Sequence, residues 1–271
     1  MKIAVAGHKG FVGSELIKRG CVPLDCDVTK RDSVEYEVKR VSPDVIIYAA
    51  AKDNVEWCEE NPKGAYNVNV QGVVNVTDYF GGIFIYLSSS HVFSGNRYFD
   101  YSEKHKPDPI SVFGFTKWGG EIATDVSSFL CKRAIVVRTS KLFNYESLQY
   151  DIFFDAMGNK YKIEKSSLIK RSFLYLPHFV DGLMKIFDDI SDTTWEDDIP
   201  DLIHIAGTDT MSYYKFWDMI VMGLDIDPNL VEPAKFGRTA VPNRGGLSTS
   251  LAKKLRIPLY SASDGIKEML K

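Results

Sequence analysis

The sequence predicts an α/β fold, a doubly wound parallel sheet followed by a smaller, irregular C-terminal region. Short β-branched runs alternate with helix-like segments throughout the first 140 residues. This alternation is typical of a parallel sheet with helices on both faces. Two of the runs, DVIIYAAA and IFIYLSSS, are continuously apolar, as strands buried on both faces are. Together these observations predict a single central sheet in the first half of the chain.

The predicted elements follow in a regular order. KIAVAG is a first strand, and FVGSELIKRG has helical spacing with Gly20 placed to end the helix. CVPLDCDV is a second strand, and the helix SVEYEVKRV ends before Pro43. DVIIYAAA is a third strand, and Asn61 before Pro62 signals the start of the next helix. The strand IFIYLSSS, the helix PISVFGFTKWGGEIATDVSSFL and the strand RAIVVRTS complete the alternation.

The alternation loosens after Ser140. The stretch YESLQYDIFFDAMGNKYKIEKSSLIK has no clear period, LPHFVDGLMKIFDDI has helical spacing, and DTTWEDDIPD is predicted as an acidic, solvated loop. LIHIAG is predicted as a strand and SYYKFWDMIVMGL as a helix. We therefore predict two domains, residues 1–140 and residues 141–271, with parts of the second returning to the sheet of the first.

Composition excludes several classes of partner. The 271 residues carry a net charge of −3, and no basic stretch is interleaved with aromatic residues, which argues against a nucleic-acid partner. No apolar run approaches the roughly 20 residues of a membrane span, and the N-terminus lacks the pattern of a signal peptide. The four cysteines form no CxxC pair and the five histidines are scattered, so we expect reduced thiols, no metal site and a cytoplasmic location.

A glycine loop, GHKGFVG, lies directly between the first strand and the first helix. Gly7 permits a tight turn, Gly10 lets a pyrophosphate approach the backbone, and Gly13 lets the helix pack close to the strand. The helix N-terminus offers unpaired N–H groups to a phosphate. Asp25 and Asp27 both lie near the position, about twenty residues on, where such sites carry an acid. The pattern predicts a Rossmann-like domain that binds a dinucleotide.

Several motifs then follow one another in an order that resembles a known family. They are LDCDVTKRDSV, PDVIIYAAA, NPKGAYNVNVQGVVNV, YLSSSHVFSG, FGFTKWGGE and VVRTSKLF, and they come after a glycine spacing, GxxGxxG, that is similar to that of short-chain dehydrogenases/reductases. Over essentially the whole chain the sequence resembles the extended short-chain reductases, and most closely the dTDP-4-dehydrorhamnose reductase family. That family uses NAD(P)H to reduce a 4-keto group on a nucleotide-linked deoxysugar.

The resemblance implies roles for particular residues. The nicotinamide cofactor, NAD or NADP, would contact the pyrophosphate-binding loop, two residues near the adenosine and the end of the third strand: Gly7, Gly10, Phe11, Val12, Gly13, Asp27, Val28, Ala49, Ala50 and Ala51. Ser89 lies where the family has a catalytic threonine, and Lys117 lies where it has the lysine that binds the nicotinamide ribose. No arginine follows the second strand, which favours NAD slightly. Lys9 has two open interpretations, attraction to a phosphate or exposure to solvent.

The chain departs from the family at the proton donor. Phe113 occupies the position of the catalytic tyrosine, and a phenyl ring cannot donate a proton. A water held by Ser89 could deliver the proton, His91 could deliver it, or the site does no redox chemistry. Ser90 and Lys141 also replace residues usual in the family, an aspartate and a tryptophan. For each departure, the alternative interpretation is drift within a site that is still active.

Two functional hypotheses follow. The first is an NAD(P)-dependent reductase of a nucleotide-linked 4-keto-deoxysugar with an altered proton donor. The second is a relative with impaired catalysis that binds the dinucleotide or the sugar nucleotide and acts as a regulatory protein or as a subunit. In the short-chain reductases that the chain resembles, helices on the outer face of the sheet often form dimers, so a homodimer is a further expectation. The sugar, the nucleotide and the direction of the reaction stay open.

Overall fold

The computed structural model describes every residue except 149–162, 192–198, 226, 228, 230 and 236–239. The chain divides into two compact units. The first unit comprises Met1–Phe93, Lys106–Arg138 and Ile186–Ile203, and the second comprises Ser94–His105, Thr139–Lys185 and His204–Lys271. Residues 94–105, which the sequence analysis grouped with the N-terminal domain, thus belong to the second unit. The boundary predicted at residue 140 lies close to the passage from Arg138 to Thr139.

The described strands, in chain order, are β1 (Ile3–Ala6), β2 (Val22–Leu24), β3 (Val45–Tyr48), β4 (Ile83–Ser89), β5 (Arg133–Thr139), β6 (Lys141–Phe143), β7 (Ile163–Ser166), β8 (Lys170–Tyr175), β9 (Leu202–His204), β10 (Thr210–Ser212), β11 (Val231–Ala234) and β12 (Arg244–Gly245). The helices are α1 (Phe11–Lys18), α2 (Arg31–Val41), α3 (Val55–Glu60), α4 (Pro62–Tyr66), α5 (Gly72–Thr77), α6 (Val112–Ser127), α7 (Leu176–Ser191), α8 (Tyr213–Gly223), α9 (Ser250–Lys254) and α10 (Ala262–Met269). A π-helical turn, Asn67–Gln71, joins α4 to α5, and a 3₁₀ turn, Ser90–Val92, follows β4.

The main sheet has the strand order β2-β1-β3-β4-β5-β9. The pairs β1–β2, β1–β3 and β3–β4 are parallel. The predicted fold class, a Rossmann-like parallel sheet with flanking helices, is confirmed. From β1 the chain adds β2 on one side of the sheet, and from β3 it adds β4 and β5 on the other side. The strand order therefore reverses between β1 and β3. Ligands of such sheets bind at this point.

Local signals in the sequence begin and end the helices of the first unit. The helix α1 ends at Lys18, and Gly20 then takes a φ of +90°, a left-handed conformation that residues other than glycine rarely adopt. At the start of α6 the Ser111 hydroxyl accepts a hydrogen bond from Gly114 N at 3.0 Å. The Glu59 carboxylate accepts a second one from Val112 N at 2.8 Å.

Buried apolar residues from both faces of the main sheet form the core of the first unit. Tyr48 on β3 and Tyr86 on β4 are fully buried, with ring centroids 5.9 Å apart. Each hydroxyl has a backbone acceptor in the π-helical turn, because Tyr48 donates to Val68 O at 2.6 Å and Tyr86 donates to Asn69 O at 3.2 Å. The core therefore carries two polar groups without leaving them unsatisfied.

The second unit has its own sheets and core. In its four-stranded sheet β8 lies between β10 and β12 and also pairs with β6, while β7 and β11 form a separate parallel pair. Phe173 of β8 stacks on Phe216 of α8 with ring centroids 4.0 Å apart, and Phe143 contacts Phe216 edge to face. The predicted strand LIHIAG is β9, which joins the main sheet. Most of the predicted acidic loop and much of the stretch without a period lie outside the described residues.

Candidate functional site

The glycine loop forms a closely packed cradle after β1. Gly7 has a φ of +85°, and a Cβ atom there would lie 2.5 Å from Ala50 N. A Cβ atom on Gly13 would lie 2.1 Å from Gly7 O, so α1 approaches the loop too closely for any side chain. Gly10 N donates to Gly7 O at 3.0 Å, and no side chain caps the N-terminus of α1. The first N–H groups of α1 are thus left for a phosphate group to bind.

The two candidate acids after β2 have different surroundings. Asp27 accepts hydrogen bonds from Thr29 N at 3.0 Å and from Thr29 Oγ1 at 2.7 Å, so its carboxylate closes a local turn and its pKa is lowered by these bonds. Asp25 comes directly after β2 and accepts a hydrogen bond from Lys9 Nζ of the glycine loop at 3.0 Å. That bond and the charge of Lys9 lower the pKa of Asp25. The structure therefore links Asp25, not Asp27, to the glycine loop.

The remaining residues that the resemblance assigned to the cofactor lie at the same edge of the sheet. Ala49 follows β3, and its N–H donates to Ala6 O at 2.9 Å, which brings the ends of β1 and β3 together. Ala49 and Ala50 are half-buried and Ala51 is exposed. Val28 is buried, and its carbonyl accepts a hydrogen bond from Asn75 Nδ2 at 2.8 Å. Ala49, Ala50 and Ala51 thus follow β3 next to the point where the strand order reverses, and Val28 lies in the segment after β2.

Lys117 is buried at the carboxyl end of β4. Its Nζ donates to Leu87 O at 2.5 Å and lies 4.2 Å from the centroid of the Tyr86 ring. Only 3% of the residue is exposed. Burial lowers the pKa of Lys117 to about 7, although the negative charges of Glu121 and Asp53 act in the opposite direction. A buried amine with this pKa is partly protonated and partly neutral near neutral pH.

Three further candidate residues lie beside the same strand end. Ser89 ends β4, and its hydroxyl accepts a hydrogen bond from His91 N at 3.3 Å. The His91 ring meets the Phe113 ring edge to face, with centroids 5.2 Å apart. Phe113 itself is buried and packs with Cys58, Ala65 and their neighbours in α3 and α4. Phe113 thus occupies an apolar position, and the ionisable ring of His91 is in contact with it.

Asn69 is a candidate that the sequence analysis did not single out. It lies in the π-helical turn and is fully buried. Its amide donates to Lys52 O and to Thr116 Oγ1, both at 2.9 Å, and its oxygen accepts from Lys52 N at 2.8 Å. It therefore ties the segment after β3 to α6. The available signal was its place in NPKGAYNVNVQGVVNV, one of the motifs that carry the resemblance.

A buried ion pair between Glu121 and Arg138 lies next to the site. Glu121 of α6 accepts two hydrogen bonds from Arg138 of β5, at 2.7 and 2.6 Å, and a third from the Ser88 hydroxyl at 2.5 Å. Arg138 also lies over the Phe93 ring, 5.0 Å from its centroid. The pairing fixes α6 against β4 and β5. The spacing of these residues in the sequence gives no indication of it.

Two departures noted in the sequence fall in different places. Ser90 is buried in the 3₁₀ turn after β4, next to Ser89. Lys141 is half-buried on β6, which belongs to the second unit. In the described part of the chain, no cluster of histidine, cysteine and acidic side chains could hold a metal ion. None of the described helices is both long enough and apolar enough to cross a membrane.

Comparison with known families agrees with this geometry. The family model described as the RmlD substrate binding domain matches residues 1–271, the whole of the chain. The chain belongs to this family. The resemblance drawn from the motifs is thereby confirmed at the level of the family. The replacement of tyrosine by Phe113 is a feature of this chain's own sequence.

Individual relatives of this RmlD-family chain include enzymes and a subunit. A dTDP-4-dehydrorhamnose reductase of Shigella flexneri is 31% identical over 159 residues, 53% of this chain and 52% of that protein. Methionine adenosyltransferase 2 subunit beta of Danio rerio is 28% identical over 137 residues, 44% of this chain and 42% of that protein. The chain therefore matches about half the length of these curated relatives.

Solved structures show the same fold as this RmlD-family chain. The crystal structure of dTDP-4-dehydrorhamnose reductase from Bacillus anthracis str. Ames in complex with NADP has a TM-score of 0.83 to this chain. It is 23% identical, and the similarity covers 99% of each chain. At this level of identity the likeness establishes the fold.

Proposed function

We propose that this RmlD-family chain is an NAD(P)-dependent reductase of a nucleotide-linked 4-keto-deoxysugar that uses an altered proton donor. The observation that carries the proposal is the cluster at the end of β4. There a buried lysine of α6 with a pKa of about 7, the serine hydroxyl that ends β4 and an imidazole in the following 3₁₀ turn lie around one strand end. Such a cluster can bind and protonate a carbonyl oxygen. The dTDP-4-dehydrorhamnose reductase named among its relatives supports the substrate class.

The cofactor half of the proposal rests on the fit of the glycine loop. Gly7 and Gly13 leave no space for side chains, so the loop packs tightly between β1 and α1, as it does in sites that bind a pyrophosphate at the helix N-terminus. We propose that Gly10, Phe11 and Val12 bind it through backbone N–H groups. The residues Asp27, Val28, Ala49, Ala50 and Ala51 would line the rest of the site. NAD(P)H, when bound, supplies a hydride.

The protein residues would supply the proton and the orientation. Ser89 accepts from the backbone and can still donate its own hydroxyl proton to the substrate oxygen. His91 lies against Phe113, the position from which the family's tyrosine would act, so we assign it the role of general acid. Lys117 would hold the ribose and supply positive charge.

We infer a cytoplasmic location because the four cysteines are free thiols.

The proposal is tested by following NADH and NADPH oxidation at 340 nm with dTDP-linked 4-keto-6-deoxysugars. A general acid contributes about 10²–10⁴-fold to rate, so His91→Gln should lower kcat by about 10²-fold or more. Phe113→Tyr should raise kcat by a similar factor. Phe115→Tyr is the matched control, since Phe115 lies on the same helix with its side chain exposed. Absence of cofactor oxidation by the wild type and by Phe113→Tyr would contradict the reductase function.

A second function is favoured by the packing of Phe113. The ring is 6% exposed and lies among apolar side chains of α3 and α4. It could act as a structural residue in a protein that binds a dinucleotide or a sugar nucleotide without turning it over. A relative named as a subunit of methionine adenosyltransferase supports such a role. Calorimetric binding of NADP⁺, together with no turnover by wild type or by Phe113→Tyr, would favour this second function.

We also propose a homodimer through the outer face of α6 and the turn that follows it. We call Phe115, Ile122, Val126, Phe129 and Leu130 the apolar stripe; each is at least half exposed. An exposed apolar stripe of this length is typical of an interface, and a symmetric partner would present the same stripe. Ile122→Glu should convert a dimer into a monomer in sedimentation velocity. At about 100 μM, an interface with a dissociation constant of about 1 μM would be mostly associated, so a wild type that sediments as a monomer at this concentration would contradict the proposal.

A further inference from the structure

The Lys117 amine lies between a backbone oxygen and the face of an aromatic ring. Its Nζ donates to Leu87 O at 2.5 Å and lies 4.2 Å from the centroid of the Tyr86 ring. Glu121, whose negative charge acts on this amine, is itself paired with Arg138. In the described part of the chain, the ammonium thus has one carbonyl oxygen and one ring face as its direct partners.

The Tyr86 ring has a fixed position beneath this amine. Tyr86 is fully buried on β4, and its hydroxyl lies 3.2 Å from Asn69 O and 3.4 Å from Lys117 O. A Cβ atom on Gly120, three residues after Lys117 on α6, would lie 2.2 Å from that hydroxyl. Glycine at this position therefore lets α6 approach the ring closely. The packing keeps the face of the ring towards the ammonium.

Burial opposes the positive charge of Lys117. Loss of hydration lowers the pKa of its amine to about 7, against the negative charges of Glu121 and Asp53. The face of an aromatic ring carries negative electrostatic potential and attracts a cation, more strongly where water is excluded. The Tyr86 ring thus favours the protonated amine in a place where burial favours the neutral one.

The position one helical turn before Lys117 offers the ammonium no hydroxyl, because the residue there is Phe113. We propose that Tyr86 is a positioning residue for Lys117: its ring face keeps the amine protonated and directed at the carboxyl end of β4, where an ammonium can bind the ribose of the cofactor. The contact between ring and amine involves β4 and α6 alone. Its consequence for the cofactor rests on the proposed function.

The first test measures the pKa of Lys117 without any cofactor, by NMR titration of the full chain with isotope-labelled lysine. The Lys117 signal is identified by its loss in Lys117→Met. Tyr86→Leu should lower this pKa by about one unit, and Tyr86→Phe, which keeps the ring face, should leave it within about 0.3 unit of wild type. A fluorinated phenylalanine at position 86 keeps the shape of the ring and weakens the potential of its face, so it should lower the pKa even if Tyr86→Leu does not fold.

Tyr48→Leu is the matched control, since Tyr48 is equally buried and its ring contacts the rings of Phe84 and Tyr86. It should leave the pKa of Lys117 unchanged. Calorimetric binding of NADP⁺ then separates positioning from packing. A pKa lower by one unit makes the protonated fraction about tenfold smaller at pH 8 and less than about twofold smaller at pH 6, so binding by Tyr86→Leu should weaken by these factors.

Equal weakening of NADP⁺ binding at both pH values would overturn the proposal, because it would indicate a packing role alone. An equal lowering of the Lys117 pKa in Tyr86→Leu and Tyr86→Phe would overturn it too, since the hydroxyl and not the ring face would then act. So would an unchanged pKa in Tyr86→Leu and in the fluorinated variant. A wild type that binds no NADP⁺ would overturn the proposed reductase, while the NMR titration would still decide the role of Tyr86.

Discussion

Replacing Lys117 with methionine should make the stability of the protein less dependent on pH. The folded chain buries this amine against Leu87 O and the Tyr86 ring, and burial lowers its pKa from an ordinary 10.5 to about 7. Below pH 7 the amine is protonated in both the folded and the unfolded chain. Between pH 7 and pH 10.5 the unfolded chain keeps a proton that the folded chain has lost. The wild-type free energy of unfolding should therefore rise with pH in this window.

The size of the effect follows from the change in pKa. Each pKa unit corresponds to about 1.4 kcal/mol, so the full window contributes roughly 5 kcal/mol and the range from pH 7 to pH 9 about 2–3 kcal/mol. Lys117→Met has no such group, and the difference between the two free energies should follow this curve. Other titrating residues contribute equally to both proteins and are removed by taking the difference.

The assay is urea denaturation of both proteins at pH values from 6 to 9, followed by circular dichroism. The control is Lys63→Met, because Lys63 is an exposed lysine on α4. The difference between wild type and Lys63→Met should not vary with pH. If the difference between wild type and Lys117→Met were constant to within about 0.5 kcal/mol, the assignment of a lowered pKa to Lys117 would be refuted.

Three further outcomes test the structure around the site. Arg138→Met should lower the free energy of unfolding by about 3–5 kcal/mol in urea, because Glu121 would remain as an unpaired buried carboxylate; a loss below about 1 kcal/mol would contradict the buried pair. Gly13→Ala places a methyl group about 2.1 Å from Gly7 O, and calorimetry should show NADP⁺ binding at least about tenfold weaker. Asn69→Ala should cost about 2–3 kcal/mol in thermal or urea unfolding, and an unchanged midpoint would count against its bridging role.

Much of the fold could be predicted because it depends on local patterns. The apolar runs DVIIYAAA and IFIYLSSS became β3 and β4 since their residues are buried on both faces of the sheet. The position of Gly20 predicted the end of α1, and Pro62 predicted the start of α4. The π-helical turn after α4 was not predicted, because its hydrogen-bond register depends on the contacts that Asn69 makes with α6 and with the segment after β3.

The candidate site divides in the same way. The sequence determined which residue types are present: a glycine loop, a lysine at position 117, and a phenylalanine where the family has its tyrosine. The tertiary structure decided which groups meet. It pairs Lys9 with Asp25 and places the His91 ring against the Phe113 ring. Each contact joins two segments that are separated in the sequence. Hydrophobic period and glycine spacing are properties of neighbouring residues, whereas side-chain contacts, burial and pKa depend on the folded chain.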